Sequence, residues 1–104
     1  MPRRKMLTVG MVEFSAEGQS FIGVFEKHEE VPYQDKVIQK YTFTNERGTF
    51  VLMGGTQIDE GMANATIGDT LEILWKGVQR TSNGFDVKLF DIFQWEEGGD
   101  DEQG

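Results

Sequence analysis

A two-residue rhythm, broken once, constrains this chain more than any other feature. In "KVIQKYTFTNE", Val37, Tyr41 and Phe43 fall on one face, and Lys36, Ile38, Lys40, Thr42 and Thr44 fall on the other. That is the pattern of a β-strand with one buried side. The same rhythm aligns Phe21, Gly23 and Phe25 in "QSFIGVFEK", and Leu71, Ile73 and Trp75 in "TLEILWKGV". "TFVLM" and "FDVKLFDIFQW" supply two more strands. Between the third and fourth strands, "GGTQIDEGMANATIGD" abandons alternation. There Ile58, Met62 and Ala65 recur at i, i+4 and i+7, which predicts a short helix with Thr56 as its N-cap. Gly61 weakens that helix.

The connections are marked by turn residues. "EEVPYQD" reads as a loop because of Pro32, "NERG" as a tight turn, and "QRTSNG" as the tip of a hairpin. Gly23 and Gly77 lie inside strands and predict bulges where the sheet bends. Residues 6–16 are weakly patterned, as a frayed segment or a short added strand. The expected fold class is all-β with one short helix. Three strands, a helix and two strands wrap into a small barrel. An SH3-like barrel would lack the helix, and a lipocalin-like barrel needs more strands than this chain holds.

The length of 104 residues suits one domain. Three parts are expected: a basic lead over residues 1–18, the barrel over 19–95, and an acidic tail over 96–104. Ten Lys and Arg stand against eighteen Asp and Glu, a formal net charge of −8. Residues 6–95 alone carry seven bases and thirteen acids, so the body is acidic without its tail. That argues against a strong basic footprint for nucleic acid, although a local positive groove depends on where the charges lie. There is no cysteine, which excludes disulfides and thiolate chemistry. No run approaches the roughly 18–20 apolar residues of a membrane span, and no secretory signal pattern opens the chain. A cytoplasmic location without membrane contact is the expectation.

The sequence carries no catalytic constellation. His28 lies among Glu26, Glu29 and Glu30, as a solvated histidine would. "LMGGTQ" lacks the Lys-Ser/Thr of a phosphate loop. Asp59 and Glu60 are adjacent and point apart on a helix, and "DDEQ" lacks the spacing of a calcium loop. A nonenzymatic module with no cofactor and no metal is expected.

By element order and glycine placement, residues 19–95 resemble the oligonucleotide/oligosaccharide-binding (OB) fold, a five-stranded Greek-key barrel. The resemblance implies a ligand lying across the second and third strands, between the first hairpin loop with Tyr33 and the "QRTSNG" loop with Arg80. "YTFTNERGTFVLMGG", "GDTLEILWKG" and "KLFDI" are similar to small phage-type single-stranded DNA-binding proteins. "EEGGDDEQG" resembles the acidic C-terminal tails of bacterial and phage members of that class, although it ends in Gln103 and Gly104 rather than an aromatic anchor.

Binding single strands needs rings that stack on bases and cations that follow phosphates. Tyr33, Phe50 and Trp75 are the expected rings, with Lys36, Lys40, Lys76, Arg80 and Lys88 as the expected cations. Core packing competes for Trp75 and for Tyr41. The implied function is non-sequence-specific binding of single-stranded DNA in replication or recombination, in a host cytoplasm if phage-encoded. The tail would contact replication or recombination proteins, and a homodimer would add avidity. A protein-interaction or virion-structural barrel without nucleic-acid binding is the alternative, and carbohydrate binding is a weaker third option.

Overall fold

A computed structural model describes residues 8–96. The elements in chain order are β1 (Gly10–Met11), β2 (Ser20–Tyr33), β3 (Lys36–Asn45), β4 (Gly48–Met53), α1 (Thr56–Met62), β5 (Thr70–Arg80) and β6 (Asp86–Trp95). The chain is therefore mostly β with one helix, as the alternation predicts. All six strands form one curled sheet in the order β1-β4-β3-β2-β5-β6.

That order follows from the connections. β2, β3 and β4 are joined by tight turns and pair antiparallel. The chain then passes through α1, and β5 returns beside β2, which is a Greek-key arrangement. Two points differ from the five-stranded expectation. β1 adds a sixth strand, parallel to β4, with Gly10 opposite Phe50. The sheet is also an open half-barrel, with β1 and β6 as its edges.

The inner face holds Phe25, Tyr41, Phe43, Leu52, Leu71 and Ile73, and α1 closes it with Ile58 and Met62. Phe43 and Ile73 are fully buried, and each such side chain contributes roughly 1.5–3 kcal/mol by leaving water. Phe21, Phe25 and Phe43 pack edge-on or tilted at centroid separations of 5.7 Å.

The two strand glycines do different work. Gly77 sits at a register shift between Trp75 and Gly77, with φ of 101°, so it is the bulge expected. Gly23 is not a bulge. It lets strands approach, since a Cβ there would lie 3.2 Å from Phe43 Cβ and 3.1 Å from the Thr44 carbonyl oxygen. The bulge in β2 falls instead between Phe25 and Lys27.

Two further expectations are corrected. "EEVPYQD" is not a loop: β2 continues through Pro32 to Tyr33, and only Gln34 and Asp35 turn the chain. Beyond Val24, β2 pairs with β3 alone, and a strand with one free side tolerates a residue that lacks an N–H. The helix is capped by the extended residue Gly55, not Thr56, and has no side-chain cap. Ala65 lies past the helix end but still packs on the core.

Candidate nucleic-acid interface

The first hairpin builds one part of the site. Antiparallel partners share a face, so Tyr33 with Lys36, Val31 with Ile38, Glu29 with Lys40, and Lys27 with Thr42 all lie on the outer side of β2 and β3. Tyr33 is half exposed at the tip. Lys36 is exposed beside it and has no ion pair among the described residues. Glu29 lies between two ammonium groups, with Lys27 Nζ at 3.3 Å and Lys40 Nζ at 3.6 Å. The hydrogen bond from Lys27 holds the Glu29 carboxyl below its usual range, and Lys40 adds to this.

The second hairpin supplies the other part. At its base Lys76 Nζ pairs with Asp91 at 3.4 Å, and near the tip Arg80 pairs with Asp86 at 3.5 Å. The turn is fixed by Thr81, whose N–H donates to the Phe85 carbonyl and whose Oγ1 accepts from the Phe85 N–H. That clamp leaves the Phe85 ring 70 % exposed, the most open of the large apolar side chains described. In the sequence Phe85 reads as the first residue of the closing strand. Its position directly after a polar Asn-Gly turn was the available signal.

A cavity of about 830 Å³ lies between the segment after β1, the end of β4, the start of α1 and the second hairpin. Val12, Phe14, Leu52 and Trp75 form its apolar wall, and Met53 and Lys88 lie at its rim. Met53 is also the register partner of Lys40. Met53 thus shares a face with Lys40 and also lines the cavity that Lys88 lines. Lys88 is exposed, and no ion pair is formed to it among the described residues.

Two expected stacking rings face inward rather than out to the surface. Phe50 faces inward opposite Phe43 and packs edge-on against Phe21 at 5.4 Å. Trp75 also faces inward, opposite Phe90 and 6.4 Å from Phe14. Its Nε1 is buried without a hydrogen-bond partner among the described residues. Both rings are half-buried packing elements, because the inner face has to fill the space under a curled sheet. Core placement holds for Tyr41, which is 3 % exposed. His28 is exposed as expected, yet it is not free: it stacks on Tyr41 at 4.9 Å and hydrogen-bonds Gln39.

Tyr33, Lys36 and Lys40 therefore lie on the first hairpin, and Arg80, Phe85 and Lys88 on the second, with Lys76 lower. Beyond the paired stretches 20–24 and 70–74 the two hairpins extend in opposite directions. Residues 1–7 of the basic lead, with Arg3, Arg4 and Lys5, and all of the acidic tail beyond Glu96 lie outside the described residues. Among the described residues no cluster of His, Asp and Glu could hold a metal ion, and no helix is long and apolar enough to cross a membrane. No protein-family model, curated protein or solved structure matches the chain.

Proposed function

We propose that this chain is an OB-type module that binds single-stranded DNA with little sequence preference, in support of replication or recombination. Met53 carries the reading: it is the register partner of Lys40 and lines the same cavity as Lys88. A strand of DNA would pass from the first hairpin tip over β3 to the second tip. Tyr33 and Phe85 would stack on bases, at roughly 1–3 kcal/mol each, and Lys36, Lys40, Lys88 and Arg80 would meet phosphates. The Greek-key order, with a helix between the third and fourth long strands, supports an OB-type barrel whose seam is left open.

The carboxylates beside Lys40, Lys76 and Arg80 do not defeat this reading. Exposed ion pairs are worth about 0–1 kcal/mol, so exchanging a carboxylate for a phosphate costs little. Anisotropy of labelled oligo-dT tests the proposal. Tyr33→Ala and Phe85→Ala should each weaken binding about tenfold. Unchanged affinity in the double variant would remove the proposed groove.

The same ion pairs favour a second reading, a protein-interaction or virion-structural barrel without nucleic acid. A fixed oligomer by light scattering, together with no response to oligo-dT, would select it.

A further inference from the structure

The outer face of the sheet changes character away from β3. Across β2, β5 and β6 it carries Ile22, Phe93 and Trp95, at 44, 47 and 56 % exposure. Ile22 and Phe93 flank Glu72 in one row, and Val24, Thr70 and Trp95 form the next. The Trp95 Nε1–H donates to Glu72 Oε1 at 3.1 Å, which anchors the indole over the strands. Around this apolar centre stand Glu26, Glu72 and Asp91. Asp91 is paired with Lys76. Among the described residues Glu26 accepts only a hydroxyl bond from Thr44, at 2.8 Å. Glu26 and Glu72 have no ion pair among the described residues.

We infer that this face docks a segment of a partner protein in which an apolar anchor is flanked by lysines or arginines. An apolar centre inside a polar rim is the anatomy of a specific interface, and tryptophan is enriched among its energetic centres. The charge selects the partner. Unpaired carboxylates repel a phosphate backbone, and in a symmetric pair of copies they would face one another. Flanking cations satisfy them. Neither Phe93 nor Trp95 belongs to the proposed DNA groove, so the two assignments stand or fall separately.

The test uses the full chain with two synthetic 12-residue peptides, one alternating Lys and Leu and one alternating Glu and Leu, followed by amide chemical shifts. The Lys/Leu peptide should bind, shift Ile22, Glu72, Phe93 and Trp95, and weaken as salt is raised. Phe93→Ser and Trp95→Ser should each lower its affinity about tenfold, with oligo-dT affinity unchanged. Glu72→Gln preserves the acceptor for Trp95 while removing charge, and should lower affinity without altering the fold. Four results would overturn the inference. They are no binding, equal binding of the Glu/Leu peptide, shifts confined to the terminal acidic residues, and occupation of the face by a second copy or by the chain's own Arg3, Arg4 and Lys5.

Discussion

The Tyr41 hydroxyl donates a 2.6 Å hydrogen bond to Asp59 Oδ1, tying β3 to α1 across the edge of the core. Burial of the phenol, reinforced by that carboxylate, raises the Tyr41 pKa above its ordinary value of 10.0. Tyr41→Phe removes a bond to a charged acceptor and should cost about 1–2 kcal/mol, measured by urea denaturation. The sign of the pH effect follows from the raised pKa. The stabilisation is complete below pH 10 and is lost as pH climbs through the higher folded value, because the unfolded chain releases its proton first. The wild-type minus Tyr41→Phe difference should therefore shrink above pH 10 and stay flat between pH 7 and 9.

Gly61 sets how closely α1 lies on β6. A Cβ there would stand 2.7 Å from Ile92 Cδ1 and 3.2 Å from Ile92 Cβ. Alanine gains up to about 1 kcal/mol in helix propensity, whereas overpacking typically costs about 1–3 kcal/mol. The clash should win, so Gly61→Ala should lower Tm, and adding Ile92→Val should recover part of the loss. A rise in Tm for the single variant would mean that helix and strand are not in tight contact.

Trp75 separates packing from stacking. Its indole N–H is buried without a partner, so Trp75→Phe removes an unsatisfied donor along with some apolar area. Stability should change by less than about 1.5 kcal/mol, and affinity for oligo-dT should hold within about twofold. A tenfold loss of affinity with stability intact would return Trp75 to the binding surface.

Cations at the groove should appear in the salt dependence. Lys36→Gln and Lys88→Gln should each flatten the slope of log K against log salt by about 0.7, the value for one phosphate contact on a single strand. Lys27→Gln, whose ammonium is held by Glu29, should change the slope less.

What the sequence revealed follows from the range of the interactions involved. Strands β3 and β5 were readable because alternation is local, and Gly77 because a bulge needs its backbone freedom. β1 spans two residues, too few to show a period. Pro32 misled because its tolerance depends on β2 lacking a second neighbour at that point, which is a tertiary fact. Closure of the barrel depends on strands distant in sequence, so the open seam had no local signature. For the site, alternation correctly placed Lys36 and Lys40 outward and Tyr41 inward. Phe50 shares the inward face of Phe43 across the turn, a register that the Asn45–Gly48 pairing fixes and composition does not. Phe93 and Trp95 carry no local signal of exposure: the closing strand reads only as a strand, and which of its faces points outward is set by its register with β5.

The most direct test of the central claim is a titration of fluorescent oligo-dT with protein truncated after Glu96, at 20 mM and 200 mM NaCl. Removing the acidic tail leaves the groove to act alone. Saturable binding at micromolar protein in the low salt, weakened in the high salt, is the predicted result. Absence of any signal at micromolar protein in 20 mM NaCl would contradict it.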